Sequence, residues 1–193
     1  MSAMSAPRQT LPAGEADAIH RRHVVSALVV DRPGTLNRVS GLLRARSFNI
    51  ESLTVGTTHE PGKSRMTIAI RGDDGHLRQV LAQLERIIEV LEVIDLTRAP
   101  RIELELALVE LEPPRSPAEE RTVTAALTSA GGELLSTDGA VWRARLTAPP
   151  DAIDHALDAL RGHGLRSLVR AGAVAMSAGA STAHSTENGA TQA

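Results

Sequence analysis

The residues best placed to do chemistry lie in two neighbouring stretches. One is Asp31-Arg32-Pro33-Gly34-Thr35-Leu36, and the other is Asn49-Ile50-Glu51-Ser52-Leu53-Thr54-Val55. The first reads as a Pro-Gly corner that turns a strand into a helix. The opening N–H groups of a helix have no partner within it and lie at the positive end of its dipole. They can receive a carboxylate, and Gly34 has no side chain to block the approach. Asp31 can meet an ammonium group, and the Asn49 amide can donate or accept. In a strand–helix–strand unit the two stretches are expected to lie side by side. They would then form a polar notch for a small zwitterion, with Leu36 and Ile50 against an aliphatic side chain. The competing reading is a corner that only turns the chain, with Asn49 serving a loop. A Pro-Gly corner taken alone favours that reading.

Other chemistry is sparse. The seven histidines, His20, His23, His59, His76, His155, His163 and His184, fall in no metal-ligand spacing, and most are expected to be exposed. Glu103/Glu105 and Glu110/Glu112 alternate along one strand and read as a solvated face, not an acid/base pair. Ser64-Arg65 and Arg143/Arg145 read as exposed cations, with a partner contact as the alternative. No Gly-rich phosphate loop follows a strand. With no cysteine in the chain, disulfides, thiolate metal sites and cysteine nucleophiles are excluded.

These residues need a frame, and the apolar periodicity supplies one. Residues 23–30 read as a buried strand. Residues 35–46 read as a helix with its stripe at Leu36, Val39, Leu42 and Leu43. Residues 48–57 form the next strand, with Phe48 and Ile50 on one parity and Leu53 and Val55 on the other. That change predicts a bulge near Ser52. A Pro61-Gly62 loop leads to residues 65–71, with Met66, Ile68 and Ile70 facing the core. Asp73 or Asp74 caps a second helix whose stripe is Leu77, Val80, Leu81, Leu84 and Ile88. Residues 90–96 close the unit.

The order then repeats. Ile102, Leu104, Leu106 and Leu108 alternate with Glu103 and Glu105 in a half-exposed strand. Ser116 and Glu119 make a capping-box pattern for a helix with Val123, Leu127 and Ala130. A hairpin turns at Asp138-Gly139, with Trp142, Ala144 and Leu146 pointing one way and Arg143 and Arg145 the other. Ile153, Ala156, Leu157 and Leu160 mark a helix ending at Gly162, and residues 165–176 supply the last strand. The fold class is therefore α+β: two tandem ferredoxin-like βαββαβ units, over 21–97 and 98–177. Residues 1–20 and 178–193 are small, polar and expected to be disordered.

Bulk composition narrows the function. The 193 residues carry a net charge of -2, one Phe, one Trp and no Tyr. A sheet that binds RNA needs aromatic platforms and positive charge, so nucleic acid is not an expected partner. No apolar run approaches the ~20 residues of a membrane helix, and residues 1–18 have no secretory apolar core. Residues and spacing alone point to a small-molecule-binding or oligomer-forming module.

Residues 21–97 resemble the N-terminal ACT domain of the small regulatory subunit of acetolactate synthase (acetohydroxyacid synthase). The matching text is Val30-Asp31-Arg32-Pro33-Gly34-Thr35-Leu36, Asn49 through Gly56, and Ser64-Arg65-Met66-Thr67-Ile68. Arg170 through Ser177 resembles the family's closing strand. Ser47 stands where relatives often have Gly, Ala178 where an Arg often follows, and Glu110–Ser116 matches poorly.

The resemblance implies a non-catalytic subunit in branched-chain amino acid biosynthesis. The large catalytic subunit would hold thiamine diphosphate, magnesium and FAD, and condense pyruvate with pyruvate or 2-oxobutyrate. The small subunit would raise that activity and confer feedback inhibition by a branched-chain amino acid, typically valine. The resemblance implies a cytoplasmic homodimer formed through the ACT domain, with the effector between two chains. Gly34 and Thr35 of one chain would take the carboxylate, with Asp31 and Leu36 beside them, and Asn49 and Ile50 of the other would complete the site. The alternatives are a free-standing amino-acid-sensing ACT protein, the effector domain of a transcription regulator, for which no helix-turn-helix segment is visible, and a small enzyme in its own right.

Overall fold

The computed structural model describes residues 21–45, 49–137 and 140–179. The expected N-terminal arm, Arg46 to Phe48, the Asp138-Gly139 turn and residues 180–193 of the expected tail lie outside these residues.

The first unit runs β1 (Arg21–Val30), α1 (Thr35–Ala45), β2 (Asn49–Thr57), β3 (Lys63–Gly72), α2 (Asp74–Leu84) and β4 (Val90–Asp95). Its antiparallel sheet has the order β2-β3-β1-β4. Alternate residues of the central strands, Val25, Ala27 and Val29 with Met66, Ile68 and Ile70, bury one face against Val39 and Leu43 of α1 and Leu77, Val80 and Leu84 of α2. The register of β2 slips between Ile50 and Ser52. The extra residue puts both Ile50 and Leu53 against the same core, which is why the apolar parity changes there. Asp73 accepts from the His76 N–H at 2.8 Å and caps α2.

Two stripe assignments fail: Leu36, at the start of α1, is 47% exposed, and Ile88 falls beyond α2. α2 stops at Leu84, and the chain leaves through tight turns, Ile87 N–H to Leu84 O at 3.0 Å and Val90 N–H to Ile87 O at 2.9 Å. That path packs Ile87 on the core and leaves Ile88 90% exposed.

The second unit runs β5 (Arg101–Leu111), α3 (Pro117–Ser129), β6 (Glu133–Ser136), β7 (Trp142–Ala148), α4 (Pro150–Arg161), β8 (Leu165–Arg170) and β9 (Val174–Ser177). The order is β6-β7-β5-β8, with β9 paired to the first half of β5. Ser116 accepts from the Glu119 N–H at 3.2 Å, as its capping pattern requires. Ile153, Ala156, Leu157 and Leu160 of α4 and Val123 and Leu127 of α3 cover one sheet face.

Two expectations change here. The single last strand is two, because Ala171-Gly172-Ala173 leaves the sheet between β8 and β9. The facing of β5 is also reversed. Ala107, Val109 and Leu111 fill the core beneath the helices, and Glu103 and Glu105 share their parity. Leu104, Leu106 and Leu108 point away and are 37–43% exposed, and Ile102 is 53% exposed. Glu105 is buried instead of solvated, and it pairs with Arg170. Glu103 bonds Arg22 at 2.6 Å and Arg101 at 2.8 Å. Inward carboxylates are tolerated because arginines satisfy them.

The segment that splits the last strand joins the two units. Ala175 packs with Val24 and Leu96 on the face of the first sheet opposite its helices. Its N–H donates to Thr67 Oγ1 at 3.3 Å. Gly172 lies against β2 so closely that a Cβ there would stand 2.3 Å from Thr54 Oγ1.

Candidate functional site

The Pro-Gly corner is built by its backbone. The Asp31 N–H donates to Gly62 O at 2.8 Å, the Thr35 N–H to Arg32 O at 3.2 Å, and the Arg38 N–H to Gly34 O at 3.0 Å. Gly34 has φ +93°, a conformation that L side chains rarely adopt. A Cβ there would meet nothing within 4 Å, so the space in front of the corner is open. Asp31 through Gly34 are exposed and Leu36 is 47% exposed. Thr35 is buried, and its hydroxyl donates to Val30 O at 3.1 Å. That bond pins the helix start to the end of β1. The N–H groups of Leu36 and Asn37 sit in the first turn, where helix geometry supplies no acceptor.

The second half of the expected notch is elsewhere. Asn49 pairs with Arg71 at one end of β3, whereas Val30, just before the corner, pairs with Lys63 at the other. At ~3.4 Å per residue the two ends are about 27 Å apart. β1 and β2 both run antiparallel to β3 and so parallel to each other. The crossover helix therefore returns the chain to the end where β1 begins. Within one chain the structure does not bring Asn49 and Ile50 to Gly34, and the side-by-side expectation is corrected. It does bring Asp31, Gly34, Thr35 and Leu36 together at one end. Asn49 is exposed and Ile50 half-buried at the other. β2 is an edge strand of its sheet, a row of backbone groups available to another strand.

A cleft of about 610 Å³ lies between the units, lined by Arg22, Glu51, Ser52, Arg71, Glu105 and Arg170 among others. Its arginines are paired within the chain. Arg22 bonds Glu51 at 3.1 Å, Arg71 bonds Glu51, and Arg170 bonds Glu105 and Asp154. Burial alone would raise the Glu103 carboxyl. The hydrogen bonds from Arg22 and Arg101 outweigh it and hold that group below the usual range. Burial opposes the charge on Arg22, and Glu103 and Glu51 more than restore it. Of these pairs, Arg22–Glu103 is the one that spans the two units; the others lie within a single unit.

Sequence reasoning missed the roles of Arg22, Glu103 and Gly172. A signal was present for Glu103: it shares strand parity with Ala107, Val109 and Leu111. None marked Gly172. Arg65, read as an exposed cation, bonds Glu92 and Ser26 Oγ, both at 3.1 Å. Arg143 and Arg145 pair with Glu110 and Glu133. His23 is fully buried, with Nε2 2.9 Å from Gly72 O. Among the described residues no group of three or more His, Asp or Glu side chains could hold a metal ion. No helix among them is long and apolar enough to cross a membrane.

Residues 25–92 match the family model described as an AHAS small subunit-like ACT domain. The probable acetolactate synthase small subunit of Methanothermobacter thermautotrophicus is 39% identical over 160 residues, spanning 83% of this chain and 95% of that protein. The acetolactate synthase small subunit of Aquifex aeolicus is 36% identical over 157 residues, 81% of each chain. The crystal structure of the acetolactate synthase small subunit from Thermotoga maritima superposes with a TM-score of 0.73 at 28% identity. That match covers 83% of this chain and 99% of the other.

Proposed function

The chain belongs to the acetolactate synthase small-subunit family, and from that premise we propose that it is the regulatory subunit of that enzyme in branched-chain amino acid biosynthesis. It works in the cytoplasm beside a large catalytic subunit, which carries thiamine diphosphate, magnesium and FAD. It raises that subunit's activity and makes it sensitive to a branched-chain amino acid, valine by preference.

The observation that carries this reading is the separation of Gly34 from Asn49 along a sheet whose edge is β2. If two copies pair antiparallel through that edge, each Asn49 moves to the end of the sheet where the partner's corner lies. The carboxylate of an α-amino acid then meets the first-turn N–H groups behind Gly34, and the ammonium group meets Asp31. Leu36 of one copy and Ile50 of the other flank an aliphatic side chain. A buried aliphatic side chain of this size contributes about 1.5–3 kcal/mol, which makes branched-chain amino acids the fitting class. Such a ligand inhibits only if it binds the inhibited arrangement more tightly than the active one. A coupling of ~1–3 kcal/mol gives a 5- to 150-fold effect, and the geometry of the paired sheets is the element with two states.

The test is acetolactate formation by the reconstituted two-subunit enzyme, with and without valine. Stimulation by this chain together with valine inhibition supports the proposal. A chain that neither associates with the large subunit nor alters its rate contradicts it.

A further inference from the structure

We infer that Glu51 is a positioning residue for the effector site, fixing the face of the sheet on which Asn49 and Ile50 stand. The inference rests on the reading that Asn49 and Ile50 complete that site. Glu51 is the extra residue of the β2 bulge. Ile50 pairs with Ile70 and Ser52 with Ala69, and no residue of β3 stands opposite Glu51. The ladder therefore does not hold this residue, and its side chain does. One carboxylate oxygen takes the Arg71 guanidinium, and the other takes Arg22 Nε at 3.1 Å.

The placement of the two arginines gives this fork its importance. Arg22 stands opposite Arg71 in the β1–β3 register, and Asn49 stands opposite Arg71 in the β2–β3 register. Asn49, Arg71 and Arg22 thus form one row across three strands. Like charges directly opposite each other destabilise a sheet, and Glu51 neutralises both. The Glu51 and Arg22 side chains are 24% and 22% exposed, so water and salt screen this pair less than one on open surface. Arg22 is braced in turn by Glu103 of the second unit at 2.6 Å, which Arg101 also bonds at 2.8 Å.

What the fork prevents is a slip. β2 is an edge strand held by a single ladder, and a shift of one place turns every shifted side chain to the other face. Without the bulge, Glu51 would stand opposite Ile70 and Ile50 opposite Arg71. Ile50 would then leave the core that it shares with Leu53, and Asn49 would turn inward. Glu51 opposes that slip twice. In the bulged register its carboxylate is paired with two arginines. In the slipped register the same carboxylate would enter the apolar core beside Ile70 without a partner.

The test uses the full chain, alone and reconstituted with the large subunit. Glu51→Ala, Glu51→Gln, Arg71→Gln and the double variant Glu51→Gln/Arg71→Gln are first shown to be folded by circular dichroism. Valine half-inhibition is read against each variant's own rate without valine, and valine binding to the chain is measured by calorimetry. Both constants are expected to rise about 10-fold for Glu51→Ala and less for Glu51→Gln. The double variant is expected to be no worse than Glu51→Gln, because removing one arginine relieves the repulsion. With the isoleucine methyl groups labelled, the cross-strand Ile50–Ile70 methyl NOE is expected in the wild-type chain and is expected to weaken in Glu51→Ala. An unchanged valine response in Glu51→Ala, additive losses in the double variant, or an altered response with the Ile50–Ile70 contact intact overturns the proposal. A wild-type chain that ignores valine, in which the Ile50–Ile70 contact still depends on Glu51, contradicts the effector reading and leaves the register lock standing.

Discussion

Gly34 and Asn49 lie at opposite ends of the first sheet, Gly34 beyond the Val30–Lys63 pair and Asn49 at the Asn49–Arg71 pair. Only fifteen positions separate them in the sequence, yet the crossover through α1 returns the chain to the opposite end of the sheet. A ligand held by both must be held by two chains.

Gly34→Asp puts a carboxylate and a Cβ where the ligand carboxylate is to sit. Valine inhibition of the reconstituted enzyme is expected to be lost, with half-inhibition moved at least about 10-fold higher. Stimulation of the large subunit is expected to persist. Because φ is +93°, any side chain also strains the backbone by about 1–2 kcal/mol. Gly34→Ala therefore serves as the control for strain without charge. Valine dose–response curves for the three chains separate the two effects.

Gly172→Ala tests the joint between the units. The added methyl would stand 2.3 Å from Thr54 Oγ1 and 3.2 Å from Ser52 Cβ. Overpacking of this kind costs about 1–3 kcal/mol. Thermal unfolding is expected to show a lower midpoint. An unchanged midpoint would mean that the 171–173 segment does not press on β2.

Acid should loosen the same joint. The Glu103 carboxyl lies below its ordinary value of 4.5 in the folded chain because Arg22 and Arg101 bond it. A depressed carboxyl stabilises the fold above its ordinary value. That contribution is lost as pH falls below about 4.5 and through the folded value. Urea midpoints measured from pH 7 downward are expected to fall in that window, and Glu103→Gln is expected to flatten part of the fall.

Leu84 and Ile88 occupy similar places in the apolar pattern but not in the fold. Leu84 is fully buried and Ile88 is 90% exposed. Leu84→Ala is expected to cost about 2–5 kcal/mol. Ile88→Ala is expected to stay within about 0.5 kcal/mol. Chemical denaturation of the two variants checks both numbers.

Much of the frame was legible because its signals are local. Val39 and Leu43, or Ile153 through Leu160, announce a helix by spacing alone. Asp73 and Ser116 announce caps. The parity change from Ile50 to Leu53 announces the bulge. What was not legible depends on remote partners. Leucines dominate one parity of β5, so its outward turn is visible only once Ala107, Val109 and Leu111 are seen beneath the helices. The arginines that let Glu103 and Glu105 turn inward come from positions 22, 101 and 170. The corner itself was legible at Gly34. The placement of Asn49 was misread because nearness in the chain was taken for nearness in space across a crossover connection.

The most direct test of a shared site mixes two defective chains. Gly34→Asp and Asn49→Ala are each prepared as full chains, and each alone is expected to support activation without valine inhibition. If a site takes Gly34 from one copy and Asn49 from the other, a mixed dimer carries one doubly damaged site and one intact site. Random exchange then leaves about a quarter of all sites intact, and valine inhibition partly returns. If both residues served a site within one chain, every chain in the mixture would remain defective. Partial recovery of inhibition on mixing is the predicted result, and no recovery after demonstrated subunit exchange contradicts the account.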